Sequence, residues 1–431
     1  MKKSSLQKSA GGSTLVTALC MVVVLAMVAG SVLSISSQEY RLSKRSHAWN
    51  QALFAAEGGI ELGWNEMNKL TSINSNGTFM AGWSATGVNT WSITNQTMMP
   101  LAGIENASTY SITVTTNSPA AGEGTLTAEG KQTSATFTDP AVRKVQVTIR
   151  PNQPFSMAML AKGLIDFNGN TAVVDSFNST SGDYSAGTAR AHGNIGTNGQ
   201  LIDAAGLDVS GSLKTGPGGQ VTTQSGFNMY QPAPPDTGTN TTSDGLRVSI
   251  PNSKLPWTAT GAIVPPTVAG KETLTAGTHV DVTIGTLNQD LVITGSGTVR
   301  IYVEGAVSLA GQDDITVTPS PPGSSLKVEM YVRDAIDLSG NGVVNPSSKP
   351  TDFLLYGLPT CTSVQISGTA DFKGAIYAPN ATATLNGGAR VDGSLVASTI
   401  NAVGTIDFHY DEALATVGPI TSFSIATWKE Q

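Results

Sequence analysis

The sequence predicts a mainly β protein with one long N-terminal α-helix, its body a β-solenoid of stacked, parallel β-helix-like coils. Three observations lead there. Residues 15–35 run apolar, interrupted only by Thr17, Cys20, Gly30, Ser31 and Ser34, which is long enough for a helix of about 20 residues to cross a bilayer. A five-residue pattern (apolar, any, apolar, small, Gly) recurs as Ile165-Asp166-Phe167-Asn168-Gly169, Leu207-Asp208-Val209-Ser210-Gly211, Leu291-Val292-Ile293-Thr294-Gly295, Val307-Ser308-Leu309-Ala310-Gly311, Ile336-Asp337-Leu338-Ser339-Gly340 and Val364-Gln365-Ile366-Ser367-Gly368. Each copy reads as a short strand with two inward side chains, ended by a residue that turns a corner. Finally, residues 365–383 match residues 384–402 at an offset of 19, with Gly374 on Gly393, Phe372 on Val391, Ile376 on Leu395 and Ala378 on Ala397. Glycines and apolar positions that keep phase together indicate stacked coils. A β-sandwich with frequent Ser-Gly turns is the alternative for this body.

In the N-terminal segment, Lys2, Lys3 and Lys8 precede the apolar run without an acidic residue, which favours a cytoplasmic N-terminus. Arg41, Lys44 and Arg45 on the far side reduce the asymmetry. Beyond the run, Trp49, Leu53, Ala56, Ile60, Trp64, Met67 and Leu70 recur every three or four residues as one apolar stripe. Gly58, Gly59 and Gly63 are points where such a helix bends.

Residues 110–114 and 144–149 alternate apolar with polar, and residues 125–130 do so more weakly; these read as strands of a small sheet. Asn76-Gly77-Thr78 fits a glycosylation acceptor, but it lies in a turn-rich stretch and is assigned no chemistry. The Pro/Gly-rich stretch with Gly216-Pro217-Gly218-Gly219, Gln231-Pro232-Ala233-Pro234-Pro235 and Pro265-Pro266 opposes regular strands. It reads as a surface excursion or linker. Ile420, Phe423, Ile425 and Trp428 are candidates to cover an open solenoid end. The expected organisation is thus a basic leader (1–12), a transmembrane and amphipathic helix (13–70), a small β region (71–155), a first part of the β body (156–213), the insert (214–270) and a second part with its cap (271–431).

Composition excludes several classes. The 431 residues exceed a single core of about 250. A net charge of −7 and no long Lys/Arg run argue against nucleic-acid binding. Cys20 lies in the apolar run and Cys361 far away in the β body, so no disulfide is expected. Hydrolase, zinc-protease, Cys-x-x-Cys and phosphate-loop motifs do not occur. The histidines His47, His192, His279 and His409 are scattered, so no metal and no cofactor is expected. Asp313, Asp314 and Arg333 are the residues to test for an acidic, β-helix carbohydrate chemistry, although charged turn residues are usually just solvated.

Gly11-Gly12-Ser13-Thr14-Leu15-Val16-Thr17-Ala18-Leu19, followed by Ala55-Ala56-Glu57-Gly58-Gly59-Ile60-Glu61, resembles the start of PilX-like minor pilins and pseudopilins of type IV pilus systems. The resemblance covers about the first 70 residues. It implies cutting by prepilin peptidase after Gly12, leaving Ser13 at the new N-terminus. It also implies helix bundling through Leu15, Val16 and Leu19 with other pilin-like subunits on an inner-membrane assembly platform. Major pilins carry Glu five residues after the cut where this chain has Thr17, a departure shared by a tip subunit of related pseudopili. An uncleaved signal anchor and a secretory signal cut near Val28-Ala29-Gly30 compete with this reading.

Residues 156–431 are similar to a glycine-rich, poorly characterised domain found behind PilX-like N-termini, through Gly374-Ala375-Ile376-Tyr377-Ala378-Pro379-Asn380-Ala381, Tyr410-Asp411-Glu412-Ala413-Leu414 and Trp428-Lys429-Glu430. These resemblances imply a structural subunit rather than an enzyme, single-pass in a bacterial inner membrane. Its body would be periplasmic or displayed on a pilus or cell surface, where a surface or carbohydrate ligand is possible.

Overall fold

The computed structural model describes residues 11–69, 82–87, 90–97, 108–116, 123–133, 139–231, 240–339, 342–344, 349–368 and 371–431. The leader through residue 10 and Asn76-Gly77-Thr78 lie outside them. The chain forms two compact units. One combines the helix up to Glu66 with strands up to Arg150 and the C-terminal residues Ile425–Gln431; the other spans Pro151–Ser424.

In the first unit, α1 (Gly11–Lys69) is one continuous helix of 59 residues, roughly 90 Å at about 1.5 Å per residue. Its apolar first part has a mean hydropathy of 2.6 and is wholly exposed. Its later part packs on an antiparallel meander of β1 (Ser84–Gly87), β2 (Thr90–Thr97), β3 (Ser108–Thr116), β4 (Gly124–Gln132) and β5 (Ala141–Asn152). The sheet side of this core is Ile93, Ile112, Leu126, Ala128, Val145, Val147 and Ile149, all buried. The strands expected over 110–114, 125–130 and 144–149 are β3, β4 and β5.

The helix stripe differs from the expected one. Ala48, Ala52, Ala55, Ala56, Gly59, Ile60 and Gly63 are buried, whereas Trp49 and Trp64 are exposed. The reason is the closeness of helix and sheet. A Cβ on Gly130 of β4 would land on the Ala52 carbonyl, and one on Gly63 would meet Leu126 at 2.6 Å. Only small helix residues fit that approach, so Gly59 and Gly63, read as bend points, serve packing within an unbroken helix.

The C-terminal strand Ser422–Glu430 joins this same sheet beside β5 instead of capping the solenoid. Gln431 N donates to Lys144 O at 2.8 Å, and Arg143 pairs with Glu430. The strand covers what would otherwise be an open edge of β5.

The second unit is a parallel β-solenoid. One inward row runs through eight coils as Ile301, Met330, Leu355, Ile376, Leu395, Met159, Ile195 and Leu213, each the register partner of the next. A second row is Leu309, Leu338, Ile366, Leu385, Ala402, Phe167 and Ala204. All these side chains are buried, and the five-residue pattern supplies Leu309, Leu338, Ile366 and Phe167 of the second row. The offset of 19 is the true register from Asp371↔Arg390 to Ala378↔Ala397, after which it shifts so that Thr382 faces Thr399 and Gly387 faces Gly404. Gly387 turns a corner at φ +80 with the Gly368 backbone 3.2 Å from where a Cβ would stand.

Coil order in space is not chain order. The first strands, Met159–Ala161 and Ile165–Phe177, lie against the last, Arg390–Asp411, in the middle of the stack. From there the chain climbs through Ile195–Thr197, Leu201–Val209, Leu213–Lys214 and Gln220–Thr223 to Thr242–Ser243 at one end. It returns outside the stack over residues 244–266 and restarts at the other end with Lys271–Ala276. Part of the excursion expected from Lys214 is instead ladder, because residues 220–223 and 228–229 pair in parallel with Leu201–Val209 and Thr242–Ser243 with Leu213–Lys214; residues 232–235 lie outside the described residues. The returning strap is tied down coil by coil. Asn198 exchanges two hydrogen bonds with Val248 (2.7 and 2.9 Å), Tyr377 OH donates to Pro251 O at 2.6 Å, Ser253 Oγ donates to Gly357 O, and Ile263 N donates to Thr283 O at 2.8 Å.

Candidate functional site

At the start of α1, Gly12 and Ser13 are helical. Leu15, Val16 and Leu19 are 76%, 59% and 65% exposed, and Thr17 is exposed with them. Among the described residues of the first unit none covers this surface, which offers an apolar rod to a bilayer or to other helices.

The residues singled out for carbohydrate chemistry do not converge. Asp314 opens the strand Asp314–Pro319, accepts from Thr316 Oγ1 at 3.1 Å and lies 3.6 Å from Lys271 Nζ. Arg333 follows the strand Leu326–Val332 at another corner of the coil and pairs with Asp334 at 3.2 Å. Asp313 N donates to Ala310 O in the turn before Asp314. His192 contacts Glu412 (2.8 Å) and His279 contacts Asp281 (3.1 Å), while His47 lies on α1. Among the described residues no three His, Cys, Asp or Glu side chains form a metal set, and Cys20 and Cys361 are both free.

Two constellations escaped the sequence. The first lies where the last coil meets the first. His409 Nδ1 is 2.6 Å from Asp175 Oδ1, and Asp175 Oδ2 accepts from Tyr184 OH (2.8 Å) and Tyr230 OH (3.2 Å). The Tyr184 ring stacks on His409 at 3.4 Å, and the Arg390 guanidinium lies 5.4 Å from the Tyr184 ring centre. Burial, then the Asp175 charge, raises both tyrosine pKa values, keeping them neutral donors. Next to it, Asp411 Oδ1 accepts from Ser179 N and Ala413 N, while Oδ2 is buried without a partner. Burial raises its pKa. His409 and Asp175, like Asp411 and Ser179, are separated by over 200 residues, a pairing that no local pattern encodes.

The second is a column of tyrosines, Tyr302, Tyr331, Tyr356 and Tyr377, in register on four successive coils. Tyr331 and Tyr356 stack at 4.8 Å and 15°. Beside them is a cavity of about 470 Å³ lined by Lys254, Arg300, Lys327, Glu329, Tyr331 and Tyr356. Arg300 donates from Nε and Nη2 to Asp281 (both 2.7 Å) and lies 4.8 Å from the Trp257 ring centre. That hydrogen-bonded pair, more than any other cause, holds the Asp281 carboxyl below its ordinary range. The column was not found in the sequence because intervals between its members vary from coil to coil.

Helix, sheet and solenoid define a class: a β-solenoid protein carried on one N-terminal helix apolar enough to cross a membrane. A family described only as a domain of unknown function (DUF7305) matches residues 251–417. No curated protein matches the chain. Among solved structures, the competence-associated pilin ComZ from Thermus thermophilus is similar at 11% identity and a TM-score of 0.24, covering 89% of this chain and 97% of that one. The DUF3494 domain of an ice-binding protein from Shewanella frigidimarina is similar at 13% identity and a TM-score of 0.23, covering 60% and 99%. An ice-binding protein from an Antarctic Flavobacteriaceae bacterium is similar at 11% identity and a TM-score of 0.23, covering 59% and 96%.

Proposed function

We propose that the chain is a minor pilin- or pseudopilin-like structural subunit of a type IV pilus or related envelope machine. The carrying observation is α1 itself: a continuous helix, exposed and apolar in its first part, and packed through small residues on an antiparallel sheet in its later part. In this reading, prepilin peptidase cuts between Gly12 and Ser13 at the membrane. Leu15, Val16 and Leu19 then pack against the helices of other pilin-like subunits on an inner-membrane platform. Thr17, standing where a bulk subunit has a carboxylate, suits an initiating or tip position, with the solenoid outside the membrane in assembly priming or adhesion.

Mass spectrometry of the N-terminal peptide, with and without active prepilin peptidase, tests this. A peptidase-dependent start at Ser13 is expected. A start at Met1, or near Ser31, overturns it and leaves an anchored or secreted β-solenoid protein.

A further inference from the structure

The cavity beside the tyrosine column has an unbalanced lining. Three cations, Lys254, Arg300 and Lys327, face one carboxylate, Glu329. Arg300 is compensated by Asp281, but neither Lys254 nor Lys327 belongs to an ion pair among the described residues. A site with two uncompensated ammonium groups favours an anion.

Glu329 narrows the choice. It takes the Tyr331 hydroxyl on Oε2 (3.2 Å), leaving Oε1 as an acceptor on the wall. A carboxylate there opposes a doubly charged phosphate but suits a ligand that presents hydroxyl donors as well as a single negative charge. Tyr356 OH and Arg300 Nη1, which takes no part in the Asp281 pair, add donors. Leu354 and Val417 add apolar wall. At about 470 Å³ the space falls in the range of about 300–1,000 Å³ usual for small-ligand sites.

We propose that this cavity binds an acidic saccharide unit of the hexuronate type, with its carboxylate on Lys254 and Lys327 and its hydroxyls on Glu329, Tyr356 and Arg300. The site belongs entirely to the solenoid unit and stands whether or not the chain enters a filament. A saccharide unit at the end or side of an acidic polysaccharide reaches it from solvent, since Lys254 and Lys327 are exposed.

The test is calorimetric titration of the full chain in detergent with trigalacturonate, with the neutral maltotriose and inorganic phosphate as comparison ligands. Saturable trigalacturonate binding is expected. It should weaken about tenfold or more in the double variant K254A/K327A and in Y356F, as loss of site-centre contacts does, and it should weaken with rising salt. Both lysines are exposed, so the double variant keeps its fold, which an unchanged thermal melt verifies. Lack of saturable binding up to about 10 mM, well past the weak end of specific affinities, overturns the proposal. So does maltotriose or phosphate binding as tightly as trigalacturonate, or trigalacturonate binding that the double variant leaves unchanged.

Discussion

His409 Nδ1 lies 2.6 Å from Asp175 Oδ1, and the two residues, 234 positions apart, are register partners across the seam between the last coil and the first. The seam is where the solenoid becomes continuous: without it the stack is two half-stacks, each with an open parallel edge. Both side chains are buried, and Tyr184 and Tyr230 complete the hydrogen bonding of Asp175.

Asp175→Asn should therefore destabilise the solenoid more than Asp175's distance from any chain end suggests. An amide nitrogen in place of Oδ1 or Oδ2 faces either the imidazole or two hydroxyls that need an acceptor. The expected cost is about 1–3 kcal/mol, the usual cost of leaving buried polar groups unmatched. Hydrogen exchange read peptide by peptide should show the loss of protection concentrated in residues 171–177 and 405–411. Uniform protection in both proteins would mean that inward apolar rows alone hold the seam.

Asp411, on the same seam, makes stability depend on pH. Burial holds its proton on more tightly in the folded chain than in the unfolded one, where the ordinary value is 3.8. Its contribution is thus fully present below that value and lost as pH rises through the raised folded-state pKa. Asp411→Asn, which keeps an acceptor for Ser179 N and Ala413 N, should flatten this decline. Thermal melts of both proteins from pH 3 to pH 8 should converge at the acid end and separate above it, the variant melting higher. Parallel curves would refute the assignment.

The seam was illegible in the sequence for a physical reason. Repeat phase and strand alternation are local signals, so α1, β3 to β5 and the coils around Asp371–Gly387 and Arg390–Asp411 could all be read directly. Which coil packs on which is decided by the chain's return along the stack, and Pro-rich residues 244–266 carry no pattern that announces it. Ile425 and Trp428, read as part of a solenoid cap, lie instead on a strand beside β5, because the open edge of β5 selected their partner. On α1 the apolar stripe was read from large side chains. The sheet instead approaches so closely that alanine and glycine decide which face is buried.

Gly130→Ala tests that approach. The added methyl would occupy the position of the Ala52 carbonyl, with the Ala56 nitrogen 2.6 Å away. Backbone cannot yield as a side chain does, so helix and β4 must separate, at a cost of about 1–3 kcal/mol or more. Urea unfolding followed by the fluorescence of Trp49 and Trp64 should show an earlier transition, whereas Gly261→Ala, with open space around it, should leave the curve in place.

The strap offers a last prediction. Residues 244–266 make few ladder bonds of their own, so each tie to the coils carries a large share of what orders them. Tyr377 OH to Pro251 O, at 2.6 Å, is a tie from a side chain that is otherwise fully packed. Tyr377→Phe deletes one oxygen and leaves the ring in place, so the stacked coils should lose little, with the cost confined to about 1 kcal/mol, that of a single hydrogen bond. Local opening of the strap, which precedes unfolding of the coils, should grow about fivefold, the factor that such an energy sets. Limited proteolysis should register this as faster cleavage after Lys254 with trypsin, while the thermal midpoint of the solenoid moves by only a few degrees. Faster cleavage together with a large drop in the midpoint would mean that the strap is part of the cooperative core. Unchanged cleavage would mean that the neighbouring ties, Ser253 to Gly357 and Asn198 to Val248, hold it without Tyr377.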